Sequence, residues 1–461
     1  MRLDDIRHVY FIGIGGIGMS AIARYFLARG KKVSGYDRTR TVLTGTLENE
    51  GMSVHYTDDV SMVPADIDLV VYTPAIPADH QELNHIRKSG MPLFKRSEVL
   101  GLISNEKRSI GVAGTHGKTT TSTMTAHVLK TGGIDISAFL GGIAVDYNSN
   151  FIIGKSDVVV LEADEYDRSF LRLSPFIASI SSMDPDHLDI YGDREQMIET
   201  GYKAYASKVR DNGYLIIREG LLNEFSVGEL LKMYGRGITV LEYGYTGKAQ
   251  VRISNVGVEN GKYRFDYQGP GGNFEKISLN LAGSHNVENA TVAVTVALLL
   301  GVEEAGIREA LDGFKGIQRR FEKVIDTHDL VYIDDYAHHP GELRVAIDAA
   351  RILYPGRKIT GIFQPHLYSR TNDFADGFAE ELDKLDEILL MDIYPARELP
   401  MEGVSSEMIF KRMKNPEVKL VTKETVMDEL KKKRPEILMT LGAGDIDTFV
   451  PKIKELYSLK Q

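Results

Sequence analysis

The sequence contains no cysteine and no tryptophan in its 461 residues. Without cysteine, a protein has no disulfide, no thiolate nucleophile and no metal site with sulfur ligands. Long apolar runs are also lacking, since the early apolar run at residues 9–14 is short and interrupted by glycine. Such a run resembles neither a signal peptide nor a membrane span. We therefore expect a cytoplasmic protein without membrane insertion.

Positive charge is in short supply as well. The chain has 55 Lys and Arg against 65 Asp and Glu, a formal net charge of -10. A protein that grips nucleic acid by its phosphates is basic overall or carries a basic block. The densest basic run, residues 431–434, follows an acidic segment and is typical of a solvated helix face. We expect no nucleic-acid partner, although local donors and dipoles still allow an anionic nucleotide to bind.

The order of the apolar segments indicates the fold class. Strand-like apolar runs alternate with segments of helical periodicity, which favours α/β domains with parallel sheets. We predict three domains: a Rossmann-like N-terminal domain over residues 1–106, a central P-loop ATPase-type α/β domain over 107–316, and a Rossmann-like C-terminal α/β domain over 317–461. Short alternating runs over residues 238–281, with an Asn260-Gly261 turn, predict an antiparallel ribbon added to the central domain.

A first glycine-rich motif, GIGGIG, occupies residues 13–18 between a predicted strand and a predicted helix. This spacing lets the backbone approach a diphosphate at a helix N-terminus, and Asp37, after the second predicted strand, supplies an acid for a sugar hydroxyl. The usual ligand of such a motif is NAD or FAD. A tight strand-to-helix turn without a ligand is the structural alternative.

A second glycine loop, GVAGTHGKTT, spans residues 111–120 between another predicted strand and helix. Its backbone N–H groups can cradle phosphate oxygens, Lys118 can reach the β- and γ-phosphates, and the Thr119 hydroxyl can bind Mg²⁺. Five residues, not the usual four, separate Gly111 from Gly117, so the loop fits the form G-T-x-G-K-T instead. It predicts binding of nucleotide phosphates with Mg²⁺, and a glycine turn that arose by chance is the alternative.

Two further candidates follow predicted strands of the central domain. Glu162 ends one strand, and His187 follows another in the stretch DPDHLD. Ligands sit at the carboxyl ends of strands in open α/β sheets, and a hard cation beside phosphates takes one or two carboxylates. Glu162 is therefore a candidate magnesium ligand. For His187 the residues alone leave a capping or packing role equally open.

Polar loops follow three predicted strands of the C-terminal domain. They are DDYAHHP at 334–340, QPHLYSR at 364–370 and LGAGD at 441–445. Because the carboxyl ends of parallel strands share one edge of a sheet, the three loops predict a common site.

Together these motifs resemble those of the Mur ligases. The stretches that carry the resemblance appear in the family's order and span nearly the whole chain: FIGIGGIGMSAIA (11–23), GTHGKTT (114–120), EADEYDRSF (162–170), DPDHLD (184–189), GSHNVENA (283–290), RRF (319–321), DDYAHHP (334–340), FQPH (363–366) and GAGD (442–445).

The resemblance implies an activity. L-alanine would be joined to the lactyl carboxylate of UDP-N-acetylmuramate, with ATP and Mg²⁺, through an acyl phosphate, in the synthesis of peptidoglycan precursors by a monomer or homodimer. The N-terminal domain would hold the UDP-sugar in place of NAD, the central domain would hold ATP and Mg²⁺, and the C-terminal domain would bring the amino acid.

The resemblance also implies roles for individual residues. Lys118, Glu162 and His187 would be catalytic, and Thr119, Glu162 and His187 would hold the metal. The implied UDP-sugar contacts are Gly13, Gly15, Gly16, Gly18, Asp37 and Thr73. The implied ATP contacts are Gly114, Thr115, His116, Gly117, Lys118, Thr119, Thr120, Asn286 and Arg320. The implied wall around the amino acid is Tyr336, His338, His366 and Arg370.

Two points of the sequence depart from the family. Leu367 stands where relatives commonly have arginine, which leaves a carboxylate clamp to Arg370 and its neighbours. Some Mur ligases carry a carbamoylated lysine near the metals, and neither Lys203 nor Lys208 matches that motif. Three alternative functions stay open: a recycling ligase that attaches a preformed peptide to the same sugar nucleotide, a nicotinamide oxidoreductase, and a non-enzymatic ATP switch.

Overall fold

The computed structural model describes residues 3–259, 261–396 and 398–458. The chain divides into two compact units. The first takes the chain up to Val256 together with Phe265–Leu279 and His285–Phe314, and the second takes Gly257–Arg264, Asn280–Ser284 and the chain from Lys315 onward. Three sheets with parallel strands confirm the predicted three-domain α/β architecture, with two of the sheets in the first unit. The exact domain boundaries stay a prediction.

The first sheet has five parallel strands in the order β3-β2-β1-β4-β5. Its strands are β1 His8–Ile12, β2 Lys32–Tyr36, β3 Ser53–His55, β4 Leu69–Tyr72 and β5 Leu93–Lys95; its helices are α1 Ile17–Ala28, α2 Val42–Asn49, α3 Gln81–Ser89 and α4 Arg96–Glu106. Every residue of β1 is buried, because helices cover both faces of a parallel sheet. The strand order reverses between β1 and β4, which is where such sheets bind ligands.

The second sheet has ten strands in the order β15-β14-β13-β12-β11-β10-β6-β9-β7-β8. Its strands are β6 Arg108–Ala113, β7 Ser137–Ala144, β8 Ser149–Ile152, β9 Val158–Glu162, β10 Ile177–Ile180, β11 Tyr214–Arg218, β12 Thr239–Gly244, β13 Val251–Glu259, β14 Lys262–Gly269 and β15 Gly272–Leu279. The helices that accompany it are α5 Lys118–Thr131, α6 Leu188–Tyr191, α7 Arg194–Met197, α8 Lys203–Ala206, α9 Val227–Gly235, α10 His285–Leu299 and α11 Glu304–Gly313.

The predicted antiparallel ribbon needs a correction at its start. Strand β12 pairs in parallel with β11, and β13 pairs in parallel with β12. The segment from residue 239 therefore extends the parallel part of the sheet, because β12 forms its hydrogen bonds with the edge of β11. Asn260 of the predicted turn lies outside the described residues.

The first two sheets share one hydrophobic core. Helix α1 packs on the β7–β8 hairpin, which is antiparallel, and the Tyr25 ring lies 5.4 Å from that of Phe139 and 6.2 Å from that of Phe151. Arg24 and Asn150, both buried, form a hydrogen bond in the same contact. A buried polar pair within an apolar contact fixes its register, because each partner is costly to leave unpaired.

The third sheet has six strands in the order β16-β17-β21-β18-β19-β20, with β16 antiparallel to β17 and the other pairs parallel. Its strands are β16 Glu322–Asp326, β17 Val331–Asp335, β18 Ile359–Phe363, β19 Glu387–Met391, β20 Val418–Val421 and β21 Ile437–Leu441; its helices are α12 Pro340–Leu353, α13 Tyr368–Leu382, α14 Glu407–Phe410, α15 Val426–Lys431 and α16 Val450–Ser458. Separate apolar clusters cover its two faces. Across the described parts of the chain, no helix combines the length and apolar character needed to cross a membrane.

Candidate active site

The first glycine loop follows β1 at the point where the strand order reverses. Gly13 has a φ of +88°, and its N–H donates to the Tyr36 carbonyl at 2.8 Å. A Cβ at Gly13 would lie 3.0 Å from the Thr73 methyl carbon, so the loop and the end of β4 meet there. Gly16 precedes the first turn of α1, and no side chain among the described residues caps that turn. Such an uncapped N-terminal turn can accept a diphosphate, and the diphosphate contact itself stays a prediction.

Asp37 lies at this loop but has a partner already. Its Oδ2 accepts a hydrogen bond from the Gly15 N–H at 2.7 Å. A Cβ at Gly15 would lie 2.5 Å from Thr44 Cγ2 and 2.8 Å from the same oxygen, which favours glycine at this position. The carboxylate thus holds the loop in shape, and its other oxygen, Oδ1, accepts from the Thr39 N–H at 3.4 Å.

The second glycine loop connects β6 to α5. Gly114 and Gly117 have φ values of +136° and +81°, which favour glycine, and Gly117 precedes α5 without a side-chain cap. The Thr115 hydroxyl donates to the Asp184 carbonyl at 2.9 Å, and the His116 N–H donates to Ser182 Oγ at 3.0 Å. The loop is therefore held from β10 and its following segment, with the first turn of α5 free for phosphate.

The Lys118 ammonium donates to Glu165 Oε1 at 2.7 Å and to the Gly114 carbonyl at 2.8 Å. The Glu165 side chain is 1% exposed, and its Oε2 has no hydrogen-bond partner among the described residues. Burial raises the pKa of the Glu165 carboxyl, while Lys118 acts in the opposite direction. Sequence reasoning missed Glu165, although it lies inside the EADEYD stretch.

Thr119 and Glu162 come together as predicted. The Thr119 hydroxyl donates to Glu162 Oε1 at 3.2 Å. Burial raises the pKa of the Glu162 carboxyl, and Lys118 and Thr119 oppose that effect. Glu162 Oε2 is buried without a partner in the described part of the chain, and a Cβ at Gly141 would clash with it. A hydroxyl, a carboxylate and an orphaned carboxylate oxygen beside a phosphate loop fit a hard cation such as Mg²⁺.

His187 lies with a different pair of carboxylates. Ligand atoms of Glu165, Asp186 and His187 all lie within 4.8 Å of one another, a spacing that suits a metal ion. The His187 backbone has a φ of +50°, and its ring packs edge-on against Tyr166 at 5.1 Å. Glu165 and Asp186 were not foreseen, but both lie inside the motifs that the sequence singled out.

Asn286 lies in the first turn of α10 and supports the glycine loop through a neighbour. Its Oδ1 accepts from Asn289 Nδ2 at 2.9 Å, and Asn289 Oδ1 accepts from the Thr121 hydroxyl of α5 at 2.9 Å. A Cβ at Gly117 would lie 2.9 Å from that same Asn289 oxygen. Asn286, the predicted ATP contact, therefore reaches the glycine loop only through Asn289. The sequence did not indicate Asn289, whose side chain lies against Gly117.

In the second unit the four residues predicted to surround the amino acid lie together. The rings of Tyr336 and His338 are 5.1 Å apart, those of His338 and His366 are 5.9 Å apart, and Arg370 Nη1 lies 3.3 Å from His366 Nδ1. Burial lowers the pKa of both histidines, and Arg370 lowers each further. The His366 ring also stacks on Tyr394 at 5.8 Å, a residue that no motif marked.

Arg320 and its neighbour Arg319 lie on this cluster. The guanidinium carbons of Arg319 and Arg320 lie 4.8 Å and 5.9 Å from the Tyr336 ring centre. Arg319 also donates to the Gly442 carbonyl at 2.6 Å, which ties the RRF and GAGD stretches together. Burial raises the pKa of Asp334 to about 7 and that of Asp335 to about 6. The structure thus shows Arg320 beside Tyr336, and its predicted contact with ATP stays a prediction.

The two departures from the family have structural counterparts. Leu367 precedes α13 with a φ of +71°, and its N–H donates to the Tyr394 carbonyl at 2.9 Å. Lys203 pairs with Glu199 and, at 3.5 Å, with Glu229, so its amine is engaged in ion pairs. Lys208 is exposed.

The first unit has the geometry of an α/β enzyme with a glycine-rich phosphate loop beside a group of carboxylates. Comparison with protein families refines this class. The Mur ligase family catalytic domain matches residues 8–108, the Mur ligase middle domain matches 112–297, and the Mur ligase glutamate ligase domain matches 319–445.

Individual relatives agree with the family matches. UDP-N-acetylmuramate–L-alanine ligases of Flavobacterium johnsoniae and Porphyromonas gingivalis are each 47% identical to this chain, over 460 and 458 residues, covering 98–99% of both chains. A crystal structure of UDP-N-acetylmuramate–alanine ligase from Thermotoga maritima aligns with a TM-score of 0.81 at 28% identity, over 99% of this chain and 100% of that one. A murein peptide ligase from Psychrobacter arcticus shares the fold, with a TM-score of 0.65 at 21% identity over 98% of each chain. The chain belongs to the Mur ligase family of ATP-dependent ligases.

Proposed function

We propose that this protein uses ATP to join L-alanine to the lactyl carboxylate of UDP-N-acetylmuramate, giving UDP-N-acetylmuramoyl-L-alanine, ADP and phosphate in the cytoplasm. One observation carries the proposal: Lys118 and the Thr119–Glu162 pair surround the free first turn of α5, where a γ-phosphate has its strongest electrostatic support. Relatives named for this activity match the chain from end to end.

The first step is transfer of the γ-phosphoryl group. An oxygen of the lactyl carboxylate attacks the γ-phosphorus, the bond to the β-phosphate oxygen breaks, and ADP leaves as an acyl phosphate forms. The Lys118 ammonium stabilises the negative charge on the phosphoryl group during transfer. The backbone N–H groups of the first α5 turn stabilise the same charge, because they already point at it. Thr119, Glu162 and the Glu165–Asp186–His187 group would hold Mg²⁺, which supplies charge neutralisation on the phosphates.

The second step forms the amide. The alanine amine, as the neutral base, attacks the acyl carbon and expels phosphate. We assign the amino acid to Tyr336, His338, His366 and Arg370. Burial lowers the pKa of His338 and of His366, which favours the neutral imidazole that can accept the ammonium proton. The sugar nucleotide is assigned to the loop of residues 13–18 with Asp37 and Thr73, and ATP to residues 114–120 with Asn286 and Arg320.

A phosphate-release assay tests the proposal. Release should require UDP-N-acetylmuramate, ATP, Mg²⁺ and an amino acid together, with L-alanine preferred over a panel that includes glycine, serine and a tripeptide. A tripeptide requirement would move the protein to the recycling ligases. Phosphate release that ignores the sugar nucleotide would overturn the proposal.

A further inference from the structure

Arg96 is the first residue of α4 and lies between the two glycine loops. A Cβ at Gly18, in the first turn of α1, would lie 2.9 Å from Arg96 Nη1. On its other side, Arg96 Nη2 lies 3.4 Å from Asp164 Oδ2, and a small cavity here is lined by Arg96, Asp164 and Glu162. The guanidinium therefore faces both the proposed diphosphate turn and the proposed cation site.

The ion pair of Arg96 with Asp164 is long, and both of its side chains are partly exposed. Charge-assisted N–H···O bonds usually measure about 2.7–2.9 Å, so a contact of 3.4 Å is long. It is the single side-chain hydrogen bond of Arg96 in the described part of the chain, although a guanidinium has five donors. Asp164 does not depend on it, since its Oδ1 accepts from the Tyr166 N–H at 3.0 Å. Arg96 can exchange this partner for a better one.

A purely structural role for Arg96 is already filled by its neighbour. Lys95 Nζ binds Asp167 Oδ2 at 2.9 Å and so ties α4 to the segment that carries Glu165. The Arg96 side chain remains 23% exposed, which leaves it open to a ligand.

A protein cation at this place would help the proposed reaction, in addition to the Mg²⁺ that Glu162 and Glu165 would hold. The lactyl carboxylate is an anion that must approach the γ-phosphate through a region that holds Glu162, Asp164 and Glu165. Like charges a few ångströms apart repel strongly at low dielectric. Lys118 is directed at the glycine-loop carbonyls and Glu165, so it serves the phosphate. Arg96 offers the planar pair of donors that matches a carboxylate.

We propose that Arg96 binds the lactyl carboxylate of the sugar nucleotide, exchanging Asp164 for the substrate, and thereby distinguishes muramate from sugar nucleotides that lack the lactyl group. This inference rests on the proposed function and adds a specificity residue to it. Arg96 sets where the nucleophilic oxygen lies relative to the γ-phosphorus.

Calorimetry with two sugar nucleotides tests this inference. The variants are Arg96→Ala and Arg96→Lys, and the matched control is Arg172→Ala, which removes a 60% exposed arginine that reaches Glu98 of α4 at 3.7 Å. The ligands are UDP-N-acetylmuramate and UDP-N-acetylglucosamine, which lacks the lactyl group, each with Mg²⁺ and a non-hydrolysable ATP analogue. Affinity of every variant for the ATP analogue reports that the fold is intact.

Arg96→Ala should weaken UDP-N-acetylmuramate binding about 10- to 100-fold, the size of a lost hydrogen-bonded charge contact. The affinity of Arg96→Ala for UDP-N-acetylglucosamine should equal that of the wild type. The affinity of Arg96→Lys for UDP-N-acetylmuramate should lie between those of the wild type and Arg96→Ala. Arg172→Ala should bind both ligands like the wild type. Equal weakening of both ligands by Arg96→Ala, or no weakening of either, would overturn the inference. Wild-type protein that fails to bind UDP-N-acetylmuramate would instead refute the proposed function, independently of the variants.

Discussion

Lys118 Nζ lies 2.7 Å from Glu165 Oε1, and both side chains are largely withdrawn from solvent, at 15% and 1% exposure. Lys118 therefore neutralises the buried Glu165 carboxylate, in addition to its proposed contact with the γ-phosphate. Removing the lysine alone leaves that carboxylate without its cation. Loss of activity in a single Lys118 variant would thus mix a chemical effect with a structural one.

A double-mutant cycle separates the two effects of Lys118. We expect Lys118→Met to abolish phosphate release and to destabilise the first unit by up to about 3–5 kcal/mol, the cost of breaking a buried ion pair. Adding Glu165→Gln should restore most of the stability without restoring activity, because the double variant lacks both the phosphate lysine and a proposed Mg²⁺ ligand. Thermal unfolding and phosphate release on the same samples measure both. The control, Lys130→Met, changes an exposed lysine in the last turn of α5. Recovered activity in the double variant would show that Lys118 acts only as a counter-ion.

The role of Glu162 is tested by an isosteric change. Glu162→Gln should lower kcat by about 10²–10³-fold, the usual effect of losing one strong electrostatic contact. Because burial raises the pKa of this carboxyl, the neutral glutamine should leave the melting temperature unchanged or higher. Asp157→Asn, at an exposed position just before the same strand, is the control. Wild-type kcat with an unchanged Mg²⁺ dependence in Glu162→Gln would remove Glu162 from the cation site.

Much of this arrangement could be predicted from the sequence, because local patterns determine it. Both glycine loops join a strand to a helix, as their motifs predict, and the three sheets with parallel strands follow the alternation of strand-like and helical segments. The motif residues follow strand ends, so they gather at a sheet edge. In this way the pairing of Thr119 with Glu162 and the cluster around His366 were foreseen.

Other parts of the fold and the site depend on contacts between segments that are distant in the sequence. The periodicity of apolar residues does not indicate such contacts. The β7–β8 hairpin brings Gly141 against Glu162, and Asn150 donates to Ser20 Oγ at 2.9 Å, beside the first glycine loop. Nothing near Asn150 in the sequence marks that contact. The parallel pairing of β12 also depends on its position beside β11, which the residues of β12 do not indicate.

The two glycine loops should be separable by kinetics. Gly15→Ala would place a Cβ 2.8 Å from Asp37 Oδ2, which pushes the carboxylate away from the loop. We expect a raised KM for UDP-N-acetylmuramate and an unchanged KM for ATP. Gly45→Ala, in helix α2 with no atom within 4 Å of the added Cβ, is the matched control. A raised KM for ATP in Gly15→Ala would mean that the two nucleotide sites have been exchanged.

The second unit should lose stability as the pH rises. The pKa of Asp334 is about 7 in the fold, against about 3.9 in an unfolded chain. A raised carboxyl pKa stabilises the fold fully below the unfolded value, and this contribution disappears as the pH rises through the folded value. Hydrogen exchange in β17, corrected for its intrinsic pH dependence, should therefore show protection falling between pH 4 and 8.

Asp334→Asn should reduce the slope of that pH profile, and Asp335, whose pKa burial raises to about 6, should account for the slope that remains. Asp326→Asn, at an exposed position at the end of β16, should keep the wild-type slope. Identical slopes in the wild type and Asp334→Asn would show that Asp334 does not titrate in this range.

Transfer of an isotope tests the central claim most directly. UDP-N-acetylmuramate is labelled with ¹⁸O in both oxygens of its lactyl carboxylate and is converted with ATP, Mg²⁺ and L-alanine. The released phosphate is analysed by mass spectrometry. An acyl phosphate breaks at its carbon–oxygen bond when the amine attacks, so each phosphate should carry one ¹⁸O, with ADP as the nucleotide product. Phosphate free of ¹⁸O, or AMP in place of ADP, would contradict the account.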